Sequence, residues 1–309
     1  MQPAAQYKVL TFYKYVNLPH ASLLREAHLR DGQSIGVRGR ILISGEGING
    51  AACGTIEQTE NYKRYLHSFP EFADLTFREQ KSHFNTFKKL HVRVKNEVIN
   101  SGIGPDPKFD PNKKGGKHID PEELRKLKDD PDVVLLDVRS NYEHNIGKFK
   151  DAVTLNIGHF RDFPEKIKEL EQLKDKKIIT YCTGGVKCEK ASAILRENGF
   201  QDVYQLRGGI VQYANETGGE DFQGRCYVFD RRVAVDVNKV NPEVISHCVH
   251  CNRKTARYVN CVNSECNEQV IMCQACSFQW KGACSEACCQ NSGRTFNGLG
   301  YYEKELEKH

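Results

Sequence analysis

Lys177-Ile178-Ile179-Thr180-Tyr181-Cys182-Thr183-Gly184-Gly185-Val186-Lys187-Cys188 is the stretch on which the reading of this chain turns. Its first five residues form a short apolar run of strand type. Cys182 ends the run, two glycines and a cation follow, and a helical pattern begins near Cys188 and runs to Asn198. Strand, glycine-rich turn and helix in that order are the repeating half of a parallel α/β sheet. A cysteine at that corner meets the N–H groups of the turn and the positive end of the helix dipole, and both favour the thiolate. A free cysteine more commonly ends buried and inert, but an inert core needs no exposed glycine backbone at this point. Cys182 is therefore the candidate nucleophile. Thr183, Gly184, Gly185 and Val186 supply the backbone that would hold an anion, and Lys187 is the nearest charge.

The surroundings extend the α/β pattern. Val133–Val138 is almost wholly apolar, as a strand buried on both faces must be, and Val203–Leu206 is a further short strand. Asp120-Pro121-Glu122-Glu123 opens a helix with Asp as N-cap and Pro at its first position. Residues 118–217 thus read as one parallel-sheet domain, with Cys182 beyond the carboxyl end of a strand, where such sheets bind ligands.

The first hundred residues differ. Tyr7–Tyr15, Ser34–Ser44, Ile48–Gly54, Asp74–Gln80 and Lys89–Ile99 read as strands. Pro19–Arg30, stopped by Asp31-Gly32, and a segment opened by the capping box Thr55-Ile56-Glu57-Gln58 read as helices. The order β-α-β-β-α-β with one extra strand predicts a ferredoxin-like (acylphosphatase-like) two-layer sandwich over residues 1–101, with one sheet face free for a partner. Residues 102–117, rich in Pro and Gly, read as a linker. Residues 218–309 form a Cys-rich region that begins with two strand-like pieces around Asp230-Arg231-Arg232 and closes in a polar tail, Tyr301–His309.

At 309 residues the chain is too long for one ordinary core, and its 39% hydrophobic and 28% charged content excludes a disordered chain. No apolar run reaches the roughly 18 residues of a membrane helix. Met1–Gln6 carries neither a basic nor an apolar leader region, so a cytoplasmic protein is expected. Residues 1–100 hold 14 Lys/Arg against 9 Asp/Glu, whereas the other two thirds are balanced, so the positive surplus lies in the first domain. A solvated basic face is the plain explanation, and a phosphate-meeting surface is the sharper one.

Thirteen cysteines in a reducing compartment point to metal ligands or catalysis rather than disulfides. Nine lie between residues 248 and 289. Cys248-x-x-Cys251, Cys261-x4-Cys266, Cys273-x-x-Cys276 and Cys284-x3-Cys288 supply eight thiolates, enough for two tetrahedral zinc sites, with Cys289 left over and His247 and His250 as possible substitutes. Spacing alone leaves the partition between sites open. Knuckles of this kind are structural more often than catalytic, and they also occur in RNA-binding modules.

Three motifs together resemble a rhodanese domain: the Cys182–Lys187 loop of six residues; Leu136-Asp137-Val138-Arg139 with Glu143 and Gly147; and Leu206-Arg207-Gly208-Gly209-Ile210. The related phosphatase-like loops are one residue longer. With Gly45-Glu46-Gly47-Ile48-Asn49-Gly50, Phe229-Asp230-Arg231-Arg232 and the cysteine cluster, nearly the whole chain resembles the oxygen-dependent tRNA uridine hydroxylases, whose loop reads Cys-Thr-Gly-Gly-(Ile/Val)-(Arg/Lys)-Cys-Glu-Lys. The resemblance implies 5-hydroxylation of the wobble uridine, position 34, of tRNA, with molecular oxygen as co-substrate. It implies tRNA rather than DNA or a membrane as partner, and makes Glu46, Gly47, Asn49 and Gly50 substrate-binding candidates. Gly45-x-Gly47-x-x-Gly50 also matches a dinucleotide fingerprint, but strand rather than helix follows it, so a nucleotide cofactor is not the expectation.

Cys182 has two possible tasks: to take up and pass on sulfur as a persulfide, or to add to C6 of uracil and so enrich C5 in electrons. No iron-binding triad, flavin signature or nicotinamide motif is evident, which leaves the oxygen activator and the oligomeric state unassigned. Arg139 or Lys187 would supply positive charge to the thiolate, and Arg139 has the competing role of a salt bridge with Asp137 or Glu143. Cys188 reads as a core residue turned away from the loop, or else a resolving thiol. The rivals to the hydroxylase are a thiosulfate or persulfide sulfurtransferase and a non-catalytic, zinc-stabilised RNA-binding protein.

Overall fold

The computed structural model describes residues 6–104, 109–291 and 296; the tail Tyr301–His309 lies outside them. The N-terminal unit contains β1 (Tyr7–Tyr15), α1 (Ala21–Ile35), β2 (Arg38–Ser44), β3 (Gly47–Thr55), α2 (Ile56–His67), β4 (Arg78–Ser82) and β5 (Leu90–Val94). Its sheet order β4-β1-β3-β2-β5 is the ferredoxin-like order with β5 added in parallel at the β2 edge. Alternation assigns the faces: Leu10, Phe12, Ile41, Ile43, Ile48, Ala52 and Val92 pack under the helices with Tyr62 and Leu66. The positions between them, including Thr11, Tyr13, Tyr15, Asn49, Arg40 and Arg93, face the other way.

The helix α1 does not stop at Asp31-Gly32. Gly32 is buried against Leu90, where a Cβ would come within 2.7 Å of Cδ2, so it is a packing glycine. The stop is Gly36, at φ +89, whose N–H bonds Gly32 O and Gln33 O. The predicted capping box at Thr55 and Gln58 forms and opens α2.

Within the linker, Asp110 caps the short α3 (Pro111–Lys114) by accepting from Asn112 N at 3.0 Å. The second unit then runs β6 (Lys117–Ile119), α4 (Pro121–Leu127), β7 (Val133–Asp137), α5 (Asn141–His144), β8 (Gly147–Phe149), β9 (Val153–Thr154), α6 (Phe163–Lys166), β10 (Lys177–Tyr181), α7 (Val186–Glu197), β11 (Val203–Leu206) and α8 (Gly209–Thr217). The sheet β6-β11-β10-β7-β9 is parallel throughout. Successive residues of β10 fill opposite layers. Ile178 packs with Ile194 and Leu195 of α7, while Ile179 and Tyr181 pack with Ile210 and Tyr213 of α8.

The C-terminal region is built of small pieces: β12 (Phe222–Gly224) pairs with β8, β13 (Cys226–Tyr227) with β14 (Ala234–Val235), and β15 (Tyr258–Asn260) with β16 (Gln269–Ile271), before α9 (Gln274–Gln279) and α10 (Glu286–Gln290). The sheet face of the first unit that was expected to be free is partly covered. Tyr13 and Tyr15 lie on the Cys182 loop, and Arg232 reaches Gln80 Oε1 at 3.1 Å.

Candidate active site

Cys182 sits directly after β10, and its Sγ accepts the N–H of Gly185 at 3.1 Å. Gly185 is in the left-handed region at φ +101, and a Cβ there would stand 2.8 Å from the Tyr13 hydroxyl, so both backbone and space require glycine. From below, Ile210 N and Val211 N bond the carbonyls of Cys182 and Thr183 at 3.0 and 3.1 Å. This close approach explains the Gly208-Gly209 pair: a Cβ on Gly209 would fall 2.4 Å from Cys182 O. The helix α7 begins at Val186, two residues earlier than its pattern suggests, which places Lys187 and Cys188 in its first turn.

Cys182 is 2% exposed. Burial alone would raise its thiol. A hydrogen bond from Cys188, the Lys187 charge, and the N–H groups of Lys187 and Gly185 outweigh burial and bring it down to about 6. Cys188 is thus both a core residue and a partner of Cys182, not turned away from it. Burial first, and then the neighbouring thiolate, push its own thiol well above the usual value.

The two candidate cations separate. Arg139 is fully buried; its Nε and Nη2 bond both oxygens of Asp137 at 2.9 and 2.6 Å, and Nη2 also bonds Gly147 O at 2.7 Å. Asp137 is the register partner of Tyr181, so Arg139 ties the end of β7 to β8 and braces the strand that carries Cys182. Lys187 pairs with buried Glu143, whose Oε2 also accepts Ser140 N at 3.0 Å, and it is Lys187 whose charge bears on Cys182.

The first domain supplies a second wall, which sequence reasoning missed. The Tyr13 hydroxyl donates to Glu189 Oε1 at 2.9 Å, and that of Tyr15 to Val186 O at 3.2 Å. The Arg78 guanidinium lies 4.8 Å from the Tyr13 ring centroid, beside Gly208; it is 9% exposed, and its Nη1 is buried with no hydrogen-bond partner. The alternation of Thr11, Tyr13 and Tyr15 against Leu10 and Phe12 was the available signal. Lys190 clasps the two units, reaching Glu46 at 2.9 Å and Glu97 at 2.6 Å.

Of the four substrate-binding candidates, Glu46 reaches this seam, and the other three pack within the first unit. Glu46 also accepts Val98 N at 2.8 Å, and Asn49 donates to Val98 O at 2.9 Å. Gly47, at φ +143, allows the close approach of Lys14 O, and Gly50 leaves room for Phe12 and Ile41.

The eight predicted thiols gather into two sets, Cys248/Cys251/Cys273/Cys276 and Cys261/Cys266/Cys284/Cys288, each with its sulfurs within 4.8 Å of one another. The first and third pairs share one set and the second and fourth the other, an interleaving that spacing could not reveal. Four thiolates at Zn–S distances of about 2.3 Å stand about 3.8 Å apart on a tetrahedron. Cys251–Cys273 and Cys266–Cys284 are both 3.7 Å and Cys284–Cys288 3.6 Å, so the residues fit zinc. His250 is no substitute ligand; it stacks on Trp280 at 4.1 Å and bonds Ala283 O. His247 and Cys289 lie outside both sets.

Residues 7–98 match the family described as UPF0176 acylphosphatase like domain, residues 120–216 the rhodanese-like domain, and residues 223–289 the rhodanase C-terminal domain. A protein of Cytophaga hutchinsonii named tRNA uridine(34) hydroxylase is 51% identical over 97% of this chain and 96% of its own. Proteins of the same name from Bacillus licheniformis (92% of this chain, 88% of theirs) and Staphylococcus aureus (92% and 90%) are 41% and 40% identical.

Proposed function

The chain belongs to the tRNA uridine(34) hydroxylase family, and on that premise we propose that Cys182 is the nucleophile of the reaction, held in the Thr183–Val186 loop with Lys187 as its counter-charge. The enzyme hydroxylates uridine 34 of tRNA. The observation that carries the role of Cys182 is its seat between β10 and the start of α7, where its Sγ accepts the Gly185 N–H at 3.1 Å; these surroundings lower the thiol to about 6 although it is buried.

Added to C6 of the uracil, the thiolate enriches C5, the carbon that receives oxygen. C5 then takes one atom of O2 as the 5-hydroxyl, while a thiol or persulfide donor supplies the two electrons that, with two protons, release the other atom as water; loss of the C5 proton breaks the C6–S bond and frees Cys182. A persulfide on Cys182 is the second form in which the same loop can work, as nucleophile or as electron source. Arg139 acts as a positioning residue through Asp137. Because Cys182 is 2% exposed and overlain by Tyr13 and Tyr15, productive binding requires the seam between the first two units to open.

Residues 1–101 serve as the RNA-contacting domain, joined by residues 102–117 to the catalytic domain 118–217. Residues 218–309 hold two structural zinc ions through the eight cysteines; the metal supplies folding energy to a region with little apolar core. Among the described residues no helix is long and apolar enough to cross a membrane, and a tRNA substrate supports a cytoplasmic location.

Deletion of the gene, digestion of bulk tRNA and mass spectrometry of 5-hydroxyuridine-derived nucleosides test the reading. Loss on deletion, restoration by wild type and failure by Cys182→Ala are expected. Restoration by Cys182→Ala would remove the cysteine from the reaction. Sulfur transfer from thiosulfate with tRNA modification unchanged by deletion would favour the sulfurtransferase.

A further inference from the structure

The outer face of the N-terminal sheet is divided. One part lies on the catalytic loop; the other is open and basic. Arg40 on β2 and Arg93 on β5 are exposed on this face, because their neighbours Ile41 and Val92 fill the helix side. Lys88, Lys89 and His91 extend the charge along the entry to β5. Arg40, Lys88, Lys89 and His91 form one wall of a cleft of about 490 Å³, and Phe229 and Arg231 stand on the other.

Two of the cations that line the cleft, Arg40 and Lys89, are left to carry its charge. Its lining carboxylate, Asp230, is taken by Arg232, whose Nε and Nη2 bond it at 2.9 and 2.5 Å. Arg40 and Lys89 have no carboxylate partner among the described residues. The His91 imidazole registers the same field: burial, then the charges of Lys89, Arg93 and Arg40, hold its pKa below the usual value.

Phe229 is 48% exposed, an unusual position for a large aromatic side chain, and its orientation is fixed by edge contact with Tyr227 at 5.3 Å. On its far side lies Lys187, Nζ 5.7 Å from the ring centroid, the residue whose charge bears on Cys182. The cleft therefore ends against the catalytic loop. Cations for phosphates beside an exposed ring for a base are what single-stranded RNA requires, because every base has a face to stack and every nucleotide a charge to hold.

We propose that this cleft binds the single-stranded anticodon segment flanking the target uridine, with Arg40 and Lys89 on its phosphates and Phe229 stacked on a neighbouring base. The proposal rests on the tRNA hydroxylase reading. An acidic protein segment would use the cations without needing the ring, which the test separates.

Binding of a labelled 17-nucleotide anticodon stem-loop would be followed by fluorescence anisotropy over a range of salt concentrations. Loss of two phosphate contacts in Arg40→Gln/Lys89→Gln should lower the slope of log K against log salt by about 1.4. Phe229→Ala should weaken binding roughly 5- to 150-fold with the slope unchanged. Phe229→Tyr should restore binding and Phe229→Leu should not. Lys168→Gln, exposed on the second unit, should change nothing. Unchanged alkylation of Cys182 shows that the loop is intact. If wild type binds and hydroxylates tRNA but the double variant keeps its slope and affinity, the cleft is not the site and the hydroxylase reading survives. Equal competition by polyglutamate, or restoration by Phe229→Leu as complete as by Phe229→Tyr, also overturns it. Wild type that neither binds nor hydroxylates the stem-loop overturns the reading beneath it.

Discussion

Replacing Lys187 by Met removes the full charge that bears on Cys182 and leaves Glu143, fully buried with Oε1 unpaired, as a bare anion nearby. Both changes disfavour the thiolate. Wild type, with Cys182 at about 6, holds about 90% thiolate at pH 7. A rise of two units, well within what loss of a close cation produces, leaves about 9%, roughly a tenfold loss of reactivity. The assay is the rate of iodoacetamide alkylation of the Cys182 peptide, read by mass spectrometry from pH 5 to 10. The wild-type midpoint should lie near 6 and that of Lys187→Met clearly higher, while Lys187→Arg, which keeps the charge, should stay close to wild type. A wild-type midpoint near 9, or a Met variant with an unmoved midpoint, would refute the electrostatic account of the loop.

Lys190→Met strands Glu97 and Glu46 in the seam and should destabilise the protein by about 3–5 kcal/mol in urea unfolding; adding Glu97→Gln should recover part of the loss. Burial would raise the Glu97 carboxyl, but Lys190 and Ser101 hold it below its usual range. The clasp therefore stabilises fully above the ordinary carboxylate pKa of about 4.3 and is lost as pH falls through the lower folded value, which a pH series of the same unfolding curves would show. Gly209→Ala forces a Cβ into Cys182 O at φ +64 and should abolish hydroxylation or folding, whereas Gly184→Ala, with open space around it, should be tolerated. Protein purified under reducing conditions should carry about two zinc ions per chain, and chelation should unfold the last third while the parallel sheet survives.

The parallel sheet was legible because β7 is almost wholly apolar and β10 is a short apolar run that ends at Cys182. The Cys182 loop was legible because left-handed turns leave glycines in the sequence. What could not be read is what depends on contacts between distant segments. Gly32 resembles a helix stop until Leu90 is seen against it. That Lys190 and the Val98 backbone hold Glu46 and Asn49 has no sign in the local sequence. Arg139 and Lys187 look equivalent as cations; only the fold shows one committed to Asp137 and the other to the helix turn beside the sulfur. Arg78, a buried guanidinium with no carboxylate partner among the described residues, has no local sequence signal.

The central claim is that the Cys182 sulfur attacks the uracil of position 34. A tRNA carrying 5-fluorouridine at that position tests it most directly, because fluorine on C5 blocks completion of the reaction once C6 has been attacked. Incubated with wild type, it should give a protein–tRNA adduct that maps to the Cys182 peptide, heavier by one sulfur if a persulfide is the attacking form, and absent from Cys182→Ser. Wild type that hydroxylates ordinary tRNA yet forms no adduct, or Cys182→Ser that hydroxylates at the wild-type rate, would contradict the account.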